Sequence, residues 1–333
     1  MKVLFVPIGQ LKAASTRVRC FFFSKALARA GVRSNIFFEW WSRCPACLMR
    51  EIIKSDVVWF QKVTHPFIFF CSIFSRLIGK IVVFDFDDPL FLINWHQRMA
   101  IDCMIISANL VTTDSHANQT YARKLNERSI WIPDTIPLDM YRYAIRRKQQ
   151  DISIGWVGHG LSYARDLKLL ARVIEKLPAR YKIRLRIIGS MGSQEILSTF
   201  NCVKNVKVEI INELDWSNPS EVSEAISSFD IGVMPLEDTE YNSYKGCFKL
   251  FEYWALGKAV VASAIGEAKV VIKEGFNGFV AKNEKEWITY LSMLIENDDL
   301  RKKMGENGRK TVEKYFSLEA CERRLVQILQ LKN

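Results

Sequence analysis

Short runs rich in aliphatic, β-branched and aromatic residues alternate along the chain with longer segments of helical spacing. In the first half the runs are 3–6, 34–38, 57–60, 81–84, 110–112 and 130–132. In the second they are 152–157, 183–188, 206–210, 231–234, 259–262 and 278–281. Runs that are apolar on both faces predict strands covered by helices on both sides, hence parallel sheets. Helices are predicted in the gaps, for example over 166–177 and 220–228, and the chain ends in three more over 284–296, 298–315 and 317–331. Between the two sets lies 141–151, poor in core residues and containing Arg146-Arg147-Lys148-Gln149-Gln150, which reads as a linker. The implied architecture is α/β, two doubly wound Rossmann-like domains in sequence. The expected divisions are 1–145, 146–315 and a final helix over 316–333 that packs back on the first domain.

At 333 residues the chain suits two domains, and 49% hydrophobic with 25% charged residues is an ordinary globular balance. The net charge of +11 is uneven: by formal count residues 1–150 carry about +10 and residues 151–333 about +1. A basic first half suits anionic headgroups, a phosphorylated acceptor or nucleic acid, or is simply a solvated surface. No aromatic–basic interleave or helix-turn-helix pattern supports nucleic acid. Met1–Pro7 reads as a strand and not as a secretory leader. Arg76 and Lys80 interrupt 66–84 well short of a membrane span, so the expected location is cytoplasmic, with peripheral contact at the membrane's inner face. Most of the eight cysteines sit in apolar runs as small core residues. Cys44-Pro-Ala-Cys47 has redox or half-zinc spacing, but no second CxxC accompanies it, and it reads as the start of a helix.

Ligands of open parallel sheets bind beyond the carboxyl ends of strands, so the residues there are the candidates. After 152–157 come Gly158-His159-Gly160, and after 183–188 come Gly189-Ser190; small residues let a diphosphate approach backbone amides. His159 either assists a leaving phosphate or is an exposed loop histidine. Lys245, Lys249 and Glu252 share one face if a helix begins early enough. Two ammonium groups can neutralise a diphosphate and a carboxylate can accept ribose hydroxyls, though Lys249 and Glu252 also fit an ordinary surface pair. In the first half, Asp85, Asp87 and Asp88 follow a strand. They can deprotonate or orient an acceptor hydroxyl or hold a divalent cation, while helix capping before Pro89 explains only one of them. Ser15, Arg17 and Arg19, in the loop after the first strand, are candidate acceptor or phosphate contacts, with Ser15 or Thr16 also able to cap a helix.

The second half resembles the group-1 (family 4-type) glycosyltransferases of GT-B fold. The resemblance is carried by Ile154–Gly158, Leu185–Gly189, Asp230–Pro235, Lys249–Ala262, Gly275–Val280 and the pattern from Leu300 to Tyr315. The first half is similar to a bacterial surface-polysaccharide subgroup through its Ser-Thr-Arg-x-Arg loop, its Asp-Phe-Asp-Asp-Pro segment and Ile132–Asp139. The likeness implies two domains facing each other across a cleft, a donor held by the second and an acceptor by the first. It places Glu252 on the nucleotide ribose, and Lys245 and Lys249 near the donor phosphates and sugar. Eight residues before Glu252, where the family has a glutamate, stands Tyr244, expected as a donor contact in its place, and this departure leaves the donor sugar and the anomeric outcome open. The expected activity is sugar transfer from a nucleoside-diphosphate donor to a hydroxyl, as on a lipid-linked or surface-polysaccharide glycan. Lys249 and the Asp85, Asp87 and Asp88 group carry the catalysis, with no cofactor required and a divalent cation left open. The alternative is a nucleotide-sugar epimerase of the same fold, which needs no acceptor.

Overall fold

The computed structural model describes residues 1–38, 44–141 and 151–330. Residues 142–150, with the charged stretch of the expected linker and the boundary expected at 145/146, lie outside the described residues.

Every run named above overlaps a strand. They are β1 Lys2–Pro7, β2 Arg33–Ile36, β3 Val57–Gln61, β4 Ile81–Phe86, β5 Leu110–Thr113, β6 Ser129–Trp131, β7 Ile152–Val157, β8 Ile183–Ile188, β9 Lys207–Ile211, β10 Ile231–Met234, β11 Ala259–Ser263 and β12 Phe279–Ala281. They form two six-stranded sheets of order β2-β1-β3-β4-β5-β6 and β12-β11-β10-β7-β8-β9. All pairings within them are parallel. In each, the first strand of its half lies inside the sheet and the order reverses around it, the doubly wound arrangement.

The helices in chain order are α1 Ala14–Thr16, α2 Phe23–Arg29, α3 Pro45–Ile53, α4 Pro66–Leu77, α5 Trp95–Ser107, α6 His116–Arg123, α7 Ala164–Glu175, α8 Gln194–Asn201, α9 Pro219–Ser227, α10 Glu240–Ser243, α11 Phe248–Ala255, α12 Ala268–Val271, α13 Glu284–Glu296, α14 Asp298–Tyr315 and α15 Leu318–Gln330. Several begin as their sequences dictate. Ser115 caps α6 through the Asn118 amide, Asn283 caps α13 through that of Glu286, and proline opens α3, α4 and α9. Cys44 and Cys47, expected only to open a helix, do so at α3 and are joined by a disulfide.

The chain divides into two compact units. The first holds Met1–Thr135, Tyr244–Gly246 and Phe316–Asn333, the second Ile136–Ser243 and Cys247–Tyr315. In the first, Leu4, Val58, Phe60, Val82, Phe84 and Val111 of the sheet meet Leu48 and Ile52 of α3, Ile68 of α4 and Ile101 and Met104 of α5. On this unit's remaining surface α15 packs against α2, and the Thr135 hydroxyl donates to the Phe316 carbonyl at 3.1 Å. In the second unit, Trp156, Leu185, Ile187, Val233 and Val261 are enclosed with Leu167, Leu170 and Ile174 of α7 and Trp287 and Leu291 of α13.

In the same unit α14 lies on α11 and β11. It comes this close because two of its positions lack a Cβ. A methyl at Gly305 would collide with the Gly257 carbonyl oxygen, and one at Gly308 with the Trp254 ring. The Trp254 indole N–H in turn donates to the Asn277 carbonyl at 2.7 Å. Backbone cannot yield as a flexible side chain would, so Gly305→Ala is expected to destabilise the second unit by about 2 kcal/mol, within the usual overpacking range. A drop in the denaturant midpoint at unchanged slope would show it.

Candidate functional site

In the second unit the carboxyl ends of β7 and β8 meet in two interlocked glycine loops. The Gly158 amide donates to the Ile188 carbonyl at 3.0 Å and the Gly160 amide to that of Gly189 at 2.7 Å. A Cβ at Gly160 would stand 2.7 Å from the Ser190 backbone, and one at Gly189 would overlap the Gly158 carbonyl. These glycines therefore permit two loops to zip together, and the amides of Gly158 and Gly160, expected to meet a phosphate, are already bonded. His159 stays exposed, its Nδ1 3.5 Å from the Ser162 hydroxyl. The buried Ser190 hydroxyl donates to Asn212 Oδ1 at 2.6 Å.

Lys249 reaches this corner from the first turn of α11. A Cβ at Gly158 would stand 2.7 Å from Lys249 Cε, and the ammonium lies 3.7 Å from the centre of the Tyr163 ring and 5.7 Å from that of Trp156. Two aromatic faces thus hold one cation at the carboxyl end of β7. One turn further along α11, Glu252 is buried, and its Oε1 accepts a 2.7 Å hydrogen bond from the Tyr141 hydroxyl. Because α11 begins at Phe248, Lys245 precedes it and only Lys249 and Glu252 share a helical face. Lys245 is grouped with the first unit, where it is buried.

Tyr244, also in the first unit, stands edge-on to Phe91, with ring centres 5.1 Å apart. Its carbonyl accepts from the Ser115 hydroxyl at 2.7 Å and from Asn118 Nδ2 at 3.3 Å. A Cβ at Gly246 would overlap Asp114 Oδ2. Tyr244-Lys245-Gly246 is therefore a strap laid on the corner between β5 and α6.

The first unit gathers its carboxylates at the carboxyl ends of β4, β5 and β6. Asp85 does not follow its strand as expected. β4 runs two residues longer than the apolar run, so Asp85 lies inside it, level with Gln61 and Thr112. Its carboxylate takes two hydrogen bonds from Arg19, at 2.6 and 3.1 Å, and one from the Thr112 hydroxyl at 2.5 Å. Arg19, expected as a phosphate contact, has no exposed surface. It sits in a π-helical segment, Arg17–Phe22, and also donates to the Ile132 carbonyl at 2.5 Å and reaches Asp134 at 3.4 Å. Burial alone would lower its proton affinity, but the Asp85 carboxylate more than offsets this and holds it above the ordinary value. Arg17 is buried with a 3.3 Å bond to the Leu11 carbonyl, and Ser15 is half-buried. Neither Ser15 nor Thr16 caps the helix, whose N-cap is Ala13.

Asp87 and Asp88 share Lys62, which is 3.0 Å from Asp87 and bonded to Asp88. Capping accounts for neither: the single turn Leu90–Leu92 has Pro89 at its N-cap and no side-chain cap. Lys62 holds φ of 59°, a left-handed backbone that costs energy in a lysine and recurs at functional sites. Burial pushes Asp87 up. It also pushes Asp114 well up, helped by Asp134 and Asp87, and lifts Asp134 to about 7, with Arg19 pulling the other way. Among the described residues, Thr16 Oγ1, Gln61 Nε2 and Asn118 Oδ1 are buried polar atoms of this unit without a hydrogen-bond partner. Among the described residues no group of three or more His, Cys, Asp or Glu is arranged to hold a metal ion.

The model of a protein family, glycosyl transferases group 1, matches residues 144–311, half of the sequence. The chain belongs to that family. Two uncharacterized glycosyltransferases of Methanocaldococcus jannaschii are each 38% identical to it, over 72 and 82 residues, which is 21% and 23% of this chain and 20% and 21% of theirs. The aligned segments thus span about a fifth of the curated relatives. Among solved structures, the fold is shared with Anabaena HepE in complex with UDP-glucose, at TM-score 0.73 and 14% identity, over 99% of this chain and 100% of that one. Sucrose-phosphate synthase of Thermosynechococcus elongatus is similar at TM-score 0.74 and 13% identity, over 99% and 98%.

Several residues of this group 1 chain that stand at the candidate site escaped the sequence reading. Tyr163 and Tyr141 were unremarkable aromatics until folding set them against Lys249 and Glu252. Asp114 and Asp134 also stand immediately past strands, β5 and β6, and the rule applied elsewhere would have found them. A groove of about 560 Å³ beyond β10, β11 and β12 is lined by charges of both signs, among them Arg172, Glu237, Asp238 and Lys282, and by neither Lys249 nor Glu252.

The raised Asp134 carboxyl makes stability depend on pH. Between its ordinary 3.8 and about 7 the unfolded chain gives up this proton while the folded one keeps it, so raising pH through that window weakens the fold. Asp134→Asn should flatten the slope, as read from denaturant midpoints taken at the two ends of the window.

Proposed function

We propose that the protein transfers a sugar from a nucleoside-diphosphate donor to a hydroxyl of a lipid-linked or surface-polysaccharide glycan, at the cytoplasmic face of a membrane. The observation that carries the donor half is Lys249, a cation held on Tyr163 at the carboxyl end of β7, one helical turn from a buried carboxylate. There its ammonium would neutralise the charge that builds on the departing diphosphate, the electrostatic stabilisation that contributes most to such reactions. Glu252 would accept ribose hydroxyls, with Tyr141 fixing one of its oxygens. His159, exposed in the β7 loop, and Ser190, beside it, would complete the donor contacts with Gly158, Gly160 and Gly189 as the close-approach surface. HepE, described in complex with UDP-glucose, makes a uridine diphosphate sugar the first donor to test.

The acceptor half of the reading rests on the first unit. With Asp85 engaged by Arg19 and Thr112, the acceptor hydroxyl would be met by Asp87, Asp88, Asp114 and Asp134. A carboxyl lifted toward neutrality is the better matched proton acceptor at cellular pH. The unpartnered Thr16, Gln61 and Asn118 atoms would hydrogen-bond the sugar. The donor needs no metal where Lys249 supplies the positive charge. Among the described residues no helix is long and apolar enough to cross a membrane, and the basic first half would favour an anionic surface, about 1 kcal/mol per well-placed Lys or Arg.

The test is a panel of nucleotide sugars assayed with and without a saccharide acceptor. Lys249→Met should lower turnover by about 100-fold or more with folding intact, the usual cost of removing one electrostatic stabiliser. Glu252→Gln should chiefly weaken nucleotide binding, seen as a smaller thermal shift with the diphosphate. Retained turnover in both variants would overturn the assignment, and consumption of donor without acceptor would instead support epimerisation.

A further inference from the structure

The first unit carries an apolar surface that its own fold leaves uncovered. α4 and α5 pack side by side on one core, burying Ile68 and Cys71 from one and Ile101, Met104 and Ile105 from the other. They are tied by the Ser72 and Ser107 hydroxyls at 2.9 Å and by Arg76 donating to the Ser107 carbonyl at 3.1 Å. Their outer faces should then be polar. Instead α4 presents Phe70, Ile73 and Leu77, at spacing i, i+3, i+7, with Leu77 81% exposed. α5 presents Trp95, Met99 and Ile106, with Trp95 63% exposed. Single exposed apolar residues need no explanation, but six on two adjacent helices form a patch that marks an interaction surface.

The charges around the patch say what covers it. Between Pro66 and Ser107 the acidic residues are Asp85, Asp87, Asp88 and Asp102. The first three are held by Arg19 and Lys62, and Asp102 accepts a 2.6 Å bond from the Tyr121 hydroxyl. The cations of the same stretch are Arg76, Lys80 and Arg98, two of them exposed and Lys80 partly so. An apolar strip bearing an exposed tryptophan and flanked by cations is the composition that lies in the headgroup boundary of an anionic bilayer. A second copy of the chain is a poorer occupant, because pairing two such faces would crowd their cations together.

We infer that the outer face of α4 and α5 docks this protein on an anionic lipid bilayer, with Phe70, Leu77 and Trp95 entering the interface and Arg76, Lys80 and Arg98 meeting the headgroups. The inference rests on the membrane-face part of the function proposed above and is independent of the transfer chemistry. It supplies the two signals that stable surface binding needs, buried apolar area and charge attraction.

Co-sedimentation of the full chain with vesicles of phosphatidylcholine alone, and of phosphatidylcholine with phosphatidylglycerol, tests it. The protein should bind the anionic vesicles at least about tenfold more tightly, and less so as salt rises. The double variant Leu77→Ser with Trp95→Ser should lose about tenfold or more on anionic vesicles. Lys80→Glu with Arg98→Glu should remove the preference for phosphatidylglycerol. All these side chains are at least partly exposed, so thermal midpoints should match wild type, and a thermal shift with nucleoside diphosphate reads the donor site separately. Equal binding to both vesicle types, no binding by wild type, or unchanged binding by the apolar variant would overturn the inference. So would a wild-type dimer that the apolar variant converts to monomer.

Discussion

The first unit is organised around one buried ion pair. Arg19 enters from the helical segment after β1, Asp85 from inside β4, Thr112 from β5, and Ile132 and Asp134 from the turn after β6. Four segments separated in sequence thus converge on the single Arg19–Asp85 pair. A charge with no access to water is tolerated only when its partner is present and its remaining donors are satisfied, and removing either partner of such a pair typically costs about 3–5 kcal/mol. The π-helical segment has a local rationale here, since its extra residue per turn re-aims side chains and this segment delivers Arg19 to the carboxylate. Burial in this corner, with the neighbouring carboxylates adding to it and Arg19 opposing it, raises the Asp114 and Asp134 carboxyls.

The second unit is governed by shape more than by charge. Its two glycine loops and the glycine face of α14 bring backbone against backbone, so that a single methyl would be an intrusion. The result places the Lys249 ammonium over the Tyr163 ring.

Much of this architecture was legible in the chain. Runs rich in aliphatic residues such as 152–157 and 183–188 match their strands to the residue, because such residues concentrate where helices cover a sheet, even though Arg184 and Arg186 interrupt the second. Asp85 shows where that logic fails: β4 continues through an acidic residue because Arg19, far away in sequence, neutralises it, and no local pattern announces the match. Lys249 and Glu252 could be singled out by spacing, whereas the positions of Tyr141 and Tyr163 exist only once the tertiary fold has formed. The glycines after β7 were read as openings for phosphate. Whether a bare backbone edge is free or already bonded depends on the opposing loop, which spacing does not reveal. The disulfide between Cys44 and Cys47 likewise depends on a close approach that the CxxC pattern permits without requiring.

The place of α15 has a consequence for how the molecule comes into being. The helix that packs on α2 comes from Leu318–Gln330, far downstream of it, so α2 emerges from the ribosome long before its covering arrives. The segment in between, 136–243 and 247–315, holds nearly everything its own unit needs and can mature while the earlier half waits. Synthesis order and assembly order are therefore inverted at this boundary. A nascent or prematurely terminated chain would display the uncovered side of α2 to whatever chaperone or neighbour it meets.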